Sequence, residues 1–248
     1  MARRRADQPP LRFRGPPAGL QAFAALAPET VAAPEARVTV DLGKARSIEP
    51  LPIDAAAVAD GASHVRLSLP PTTPPGTYEG SLRAGKVQLP LSVEVEPYPS
   101  LRLAPAQLLL EAEPKASVDV HVTALNDGNV PLEIPRASAF GLFEVDGAER
   151  SVRAAFTTTP ARGRTRLDHL VEELADSHGG LVRVQIAEGS GTLDPGEVRA
   201  LLIRLRFSDT LERDQTYSGT WSLHTLRYYV RVTVPPARAQ ATRRRRAG

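Results

Sequence analysis

Shifting the chain by 139 residues against itself lays Thr77-Tyr78-Glu79-Gly80-Ser81-Leu82 over Thr216-Tyr217-Ser218-Gly219-Thr220-Trp221. The correspondence continues without a gap. Val87, Leu89, Leu91, Val93 and Val95 fall on Leu226, Tyr228, Val230, Val232 and Val234, and Pro97 falls on Pro236. Upstream, Val65, Leu67 and Leu69 match Ile203, Leu205 and Phe207 once one residue is inserted. A chain that carries the same run of elements twice contains two copies of one folding unit. The length of 248 residues leaves room for two modest domains.

The repeated segments have the period of strands. Val87, Leu89, Leu91, Val93 and Val95 alternate with polar residues and Pro90, which turns one face inward for five positions where a helix would scatter them. Val38, Val40 and Leu42 follow the same pattern. Pro90 cannot donate a ladder hydrogen bond, so it is expected on an edge strand or at a bulge. Val118, Val120, Val122 and Ala124 lead into Asn126-Asp127-Gly128-Asn129 and out to Val130, Leu132 and Ile134. Asn, Asp and Gly accept the positive φ of tight turns, so this stretch predicts a hairpin. With 23 prolines and 18 glycines the chain favours many short elements.

The pattern divides the chain. Residues 1–34, rich in Arg, Pro and Ala, read as a flexible basic leader that docks in part through Leu20, Phe23 and Leu26. A small β domain follows over 35–97, and residues 98–100, within Pro97-Tyr98-Pro99-Ser100, form a stiff linker. A larger domain spans 101–236, enlarged by an insertion near 135–194, and 237–248 is a disordered Arg-rich tail. Inside the insertion, Leu167, Leu170, Val171 and Leu174 recur at helical spacing, with Thr165 and Asp168 as a capping pair and Gly179 as a stop. They predict one short helix that plugs an end of the domain, with partner docking as the alternative.

Pro75-Gly76-Thr77-Tyr78-Glu79-Gly80, followed by the final alternating strand, resembles the C-terminal half of bacterial immunoglobulin-like repeats. The stretch from Val118 to Leu132 is similar to the early hairpin of sandwiches related to major sperm protein and the pilus-chaperone fold. The resemblance covers 37–97 and 101–134 with 195–236. It implies an all-β chain of two tandem immunoglobulin-like β-sandwich domains, the second enlarged by the helix-bearing insertion. It also implies a tyrosine corner at Tyr78 and Tyr217, whose hydroxyls would bond upstream backbone; half-buried strand tyrosines are the alternative. The first domain is short for a sandwich of roughly 100 residues, so some leader residues are candidates to complete it.

Charge and chemistry narrow the function by elimination. The net charge of +3 combines about +4 in the first twenty residues and +5 after Pro236, leaving about −6 for the body. Without cysteine there are no disulfides, thiolate ligands or cysteine nucleophiles. No run approaches the roughly 18 to 20 apolar residues of a membrane span. The apolar run Leu20–Ala27, broken by Gln21 and preceded by Pro16 and Pro17, falls short of a signal-peptide core. The reading is therefore cytoplasmic, with an extracytoplasmic location as the alternative.

His64, His121, His169, His178 and His224 lack the close pairing of zinc sites. Asp119 with His121, and Asp168 with His169, accompany no nucleophile elbow, and no phosphate-binding glycine loop is present. Glu172 and Glu173 sit opposite the helix's leucine stripe and read as a solvated face. No catalytic residue, metal ligand or cofactor site is therefore expected. Arg243, Arg244, Arg245 and Arg246 are the candidate binding residues, suited to non-specific attraction of anionic partners. The expected function is a non-enzymatic structural or protein–protein interaction module acting on another protein. A periplasmic pilus-type chaperone and a carbohydrate-binding module are the alternatives; the latter needs exposed aromatic platforms, and Trp221, Tyr217 and Tyr228 have repeat counterparts that read as structural strand positions.

Overall fold

The computed structural model describes residues 10–24, 37–41, 53–57, 63–84, 87–160 and 162–237. The chain divides into two compact units. One comprises Met1–Ser100 with Asn126–Leu132 and Asp194–Glu197; the other comprises Leu101–Leu125, Glu133–Leu193 and Val198–Gly248.

The first unit is built on β1 (Leu11–Gly15), β2 (Leu20–Ala24), β3 (Arg37–Asp41), β4 (Ile53–Ala57), β5 (Ser63–Leu67), β6 (Gly76–Ala84) and β7 (Val87–Val95). Their hydrogen-bonded order is β3-β6-β7-β1-β2-β5-β4. Strand β1 runs parallel to β7 and antiparallel to β2. It thereby joins a β1-β2-β5-β4 layer to a β3-β6-β7 layer, the division of strands that defines an immunoglobulin-like sandwich. Phe13, Leu20, Val65, Leu67, Leu82, Leu91 and Val93 fill the core between them. Each such side chain contributes roughly 1.5–3 kcal/mol by leaving water.

The second unit contains β8 (Leu101–Ala104), β9 (Gln107–Glu111), β10 (Ser117–Asn126), β12 (Ala137–Glu144), β13 (His178–Glu188), β15 (Val198–Arg206), β16 (Thr216–Leu223) and β17 (Leu226–Thr233). Their order is β8-β10-β15-β13-β12-β16-β17-β9, and the short β11 (Leu132–Ile134) and β14 (Gly191–Leu193) pair separately. Here too the strand after the entry turn, β9, runs parallel to the last strand. Read as a ring, the two orders are the same ring opened at different points. Among the described residues the first unit is open between β3 and β4. The second pairs their counterparts, β12 and β13, and is open between β8 and β9.

The final hairpins share one register. Thr77 faces Glu94 and Tyr78 faces Val93, as Thr216 faces Thr233 and Tyr217 faces Val232, and the pattern holds to Ala84–Val87 and Leu223–Leu226. The upstream match lies on β5 and its extension and on β15 and its extension, with Val65, Leu67, Leu69, Ile203, Leu205 and Phe207 all buried. The chain is thus all-β apart from its helices, with two tandem immunoglobulin-like units.

Several expectations are corrected. The leader docks through Leu20 and helps complete the first unit as expected, but it does so as regular structure: Leu11–Gly15 and Leu20–Ala24 are strands, and Phe13, Leu20 and Ala22 are core residues. The segment alternates too briefly, with Pro16 and Pro17 between its halves, for its period to stand out. Leu26 and the Phe23 side chain lie outside the described residues, as does the tail Arg238–Gly248. Pro90 is not on an edge strand throughout, since β7 pairs on both sides from Leu91 onward; pairing with β1 simply begins one residue after the proline.

The hairpin predicted at Asn126–Asn129 does not form. Strand β10 pairs with β15, and β11 pairs with β14. The turn residues instead clasp Glu96–Ser100 within the first unit. Asn129 N–H donates to the Tyr98 carbonyl at 3.0 Å, Asp127 N–H to that of Ser100 at 3.1 Å, and Asn129 Nδ2 to that of Glu96 at 2.9 Å. Gly128 is glycine because of close approach: a Cβ there would lie 2.2 Å from the Tyr98 carbonyl oxygen.

The insertion proper is narrower than 135–194, because β12, β13 and β14 belong to sheets, and it holds two helices rather than one. These are α1 (Gly147–Thr157) and α2 (Arg166–Asp176). Thr165 and Asp168 form a reciprocal capping box at the start of α2. Helix α1 has no comparable signal, since Asp146 makes no side-chain cap bond. Neither helix plugs the sandwich with its apolar stripe, because Val152, Phe156, Leu167, Val171 and Leu174 are exposed. Gly179 is no helix stop: it lies in β13, where a Cβ would meet the Tyr217 ring at 2.6 Å.

Candidate binding surface on the second unit

Pairing β12 with β13 gives the second unit an unbroken outer face from β10 to β17. Period-two alternation decides what it displays. Along β13, Val182, Val184 and Ile186 point into the core while Leu181, Arg183 and Gln185 point out; along β15, Leu201, Ile203 and Leu205 point in while Arg204 and Arg206 point out. Register then sets neighbours across the sheet. Arg206 stands opposite Ser117 on β10 and Arg183 on β13, and Arg204 stands opposite Asp119 and Gln185.

These residues floor an open basin of about 1100 Å³, with Lys115, His178, Gly180, Leu181, Ser208 and Asp209 around it. Arg204 grips Asp119 with two bonds of 2.8 Å. That fork holds the Asp119 carboxyl below its ordinary pKa and raises that of Arg204. Lys115 Nζ lies 3.6 Å from the Asp209 carboxylate. Arg183 and Arg206 are both exposed, and neither guanidinium has an ion pair or hydrogen bond among the described residues. One wall depends on Gly180, whose φ is +82° and where a Cβ would come within 2.5 Å of Ser208 and Thr210.

Farther along the same face lies an apolar groove of about 330 Å³ formed by Gly141, Phe143, Ser218, Gly219, Thr220 and Tyr229. Phe143 stands opposite Ser218, and Thr220 opposite Tyr229. Three large apolar side chains here face solvent: Phe143 is 56% exposed, Leu181 60% and Tyr229 40%. His178 joins groove to basin, its ring edge-on to Phe143 at 5.0 Å.

The residues singled out from sequence are placed as follows. Arg243, Arg244, Arg245 and Arg246 lie outside the described residues. Tyr78 Oη donates to the Pro74 carbonyl at 2.7 Å, and Tyr217 Oη accepts from the Glu212 N–H at 3.0 Å, so each hydroxyl ties its strand to backbone four or five residues upstream. Burial raises the pKa of both tyrosines. Trp221 is buried, bonding Ser138 Oγ through Nε1 at 3.2 Å, and offers no face to a sugar ring.

The remaining histidines are dispersed. His121 is exposed on β10, His169 lies 3.8 Å from Glu173 on α2, and His224 occupies the β16–β17 turn at φ 51°. The side chain of His64 is outside the described residues. Among the described residues no group of three or more His, Asp or Glu side chains is arranged to hold a metal ion, and no helix is long and apolar enough to cross a membrane. Sequence reading missed Arg183, Arg206, Phe143 and Tyr229. Each is one outward residue of an ordinary alternation, and only register brings them to one face.

No family model matches the sequence, and no curated protein matches it. Solved structures resemble it in outline. The ASH / PapD-like domain of human CEP192 matches at 11% identity and a TM-score of 0.29, covering 55% of this chain and 86% of its own. An I-band fragment from titin matches at 9% and 0.35, covering 92% and 62%. Domains 4 and 5 of the S-layer protein SbsC match at 12% and 0.27, covering 65% and 66%. Likeness at this level carries no argument about ligand, partner or activity.

Proposed function

We infer that the chain is a non-enzymatic interaction module that docks a protein partner on the outer face of its second unit. The observation that carries this reading is the cluster of exposed Phe143, Leu181 and Tyr229 around a groove floored by small residues, beside a basin with two guanidiniums that are unpaired among the described residues. Aromatic and Arg side chains anchor protein interfaces more than other types do, because they desolvate large areas at low entropic cost. Among the described residues Arg183 and Arg206 have none of the carboxylate cover that Asp119 and Asp209 give their neighbours Arg204 and Lys115.

The test is site-directed crosslinking from positions 143 and 229 in the source cells, with the captured protein identified by mass spectrometry. One partner is expected at both positions. Phe143→Asp and Tyr229→Asp are expected to weaken its binding at least tenfold, with thermal unfolding unchanged within a few degrees because both side chains are exposed. Capture indifferent to both substitutions, or measured turnover of a substrate, would overturn the reading.

A further inference from the structure

We propose that Arg183 and Arg206 form a receptor for a phosphoryl group carried on a peptide segment, which rests on the outer face of the second unit being the docking surface. Across the β13–β15 ladder the two arginines are direct register partners. Like charges placed opposite one another on a sheet repel, and folding alone gives no reason to keep the pair. The rest of the basin is balanced: Arg204 has Asp119 and Lys115 has Asp209. Four cations against two carboxylates leave a charge of +2, located on Arg183 and Arg206. Ser117, on the other side of Arg206 in the same row, adds a hydroxyl donor.

The chemistry selects among anions. A phosphoryl ester carries close to two negative charges at neutral pH and three acceptor oxygens, matching two guanidinium forks, whereas one carboxylate would leave one fork unpaired. A peptide also fits better than a nucleic acid. A polyphosphate backbone would next meet the Asp119 and Asp209 carboxylates, while a peptide running the other way meets exposed Leu181 and Phe143.

Isothermal titration of the full chain tests this with a short peptide in which one phosphoserine is flanked by leucines. Its unphosphorylated twin, inorganic phosphate and a single-stranded oligonucleotide are titrated alongside. The phosphopeptide is expected to bind, the twin at least tenfold more weakly, and inorganic phosphate to compete. Affinity should rise with pH through about 6, where the second phosphate proton leaves. Arg183→Ala and Arg206→Ala should each weaken binding at least tenfold, and Arg206→Lys by less. Neither alanine variant should melt below the parent, because each relieves a repulsion.

Equal binding of the twin, or binding unaffected by either alanine substitution, overturns the receptor. Tighter binding of the oligonucleotide overturns its assignment to peptides. Partner capture that needs Phe143 but not phosphate removes the receptor and leaves the docking face standing. Phosphopeptide binding alongside capture indifferent to Phe143 does the reverse.

Discussion

The two units carry the same final hairpin in the same register and the same circular order of strands, yet among the described residues that ring opens at different points. The difference is where the ring is open. In the first unit β1 is one continuous strand that bonds both β2 and β7, while β3 and β4 stay apart at the two ends of the order. In the second, the entry strand is split into β8 and β9 at opposite ends, and β12 pairs with β13 through Ala137–Gln185 to Phe143–His178. That pairing places Phe143 beside His178 and Ala139 beside Arg183, so that the Phe143 groove continues into the row where the β13–β15 ladder sets Arg183 against Arg206. A repeated core therefore does not imply a repeated surface.

The comparison is broken most severely at the repeat position shared by Leu82 and Trp221, buried to 0% and 1% exposure. Trp221 also stacks edge-on to Tyr228 at 6.2 Å. Trp221→Ala should cost about 4 kcal/mol and Leu82→Ala about 3 kcal/mol, each leaving a cavity. Scanning calorimetry should show each substitution moving a different transition; movement of both together would mean that the units do not unfold separately.

A second asymmetry is at Tyr228, whose counterpart Leu89 cannot titrate. Burial pushes the Tyr228 phenol up to about 12, and its hydroxyl donates to the Pro105 carbonyl at 2.7 Å. The folded state holds this proton more tightly than the unfolded chain does. Its contribution is therefore complete below the unfolded value of about 10 and is lost as pH rises through about 12. Denaturant titrations from pH 9 to 12 should show the second unit weakening more steeply than the first, and Tyr228→Phe should flatten that slope. Parallel slopes would show that this phenol does not govern the difference.

The smallest effect separates the two corner tyrosines. Tyr217→Phe leaves the Glu212 N–H without its part-buried acceptor and should cost about 1.5 kcal/mol; Tyr78→Phe frees an exposed carbonyl that water can satisfy and should cost about 0.5 kcal/mol. Urea midpoints of the two variants check the order, and a reversal would mean that hydroxyl burial is not what distinguishes the corners.

Much of this is legible in the sequence. Thr77–Val95 and Thr216–Val234 pair as their common pattern demands, and Thr165 with Asp168 caps a helix at the predicted place. Local chemistry suffices there, because period, turn residues and caps act within a few residues. Asn126–Asn129 misled for the same reason: its residues suit a tight turn, but the available acceptors on Tyr98 and Ser100 belong to a distant segment. Helix α1 carried no cap, and β1 was too short to show a period.

By itself, then, the sequence determined the strand class, the twofold repeat and the residues that turn inward, since each follows from local periodicity and apolar burial. Tertiary structure alone decided where each ring of strands opens and which outward residues become neighbours. Arg183 and Arg206 are 23 positions apart, and nothing in their local surroundings differs from a solvated strand face. Hydrogen-bond register between strands, a long-range choice, is what makes them adjacent.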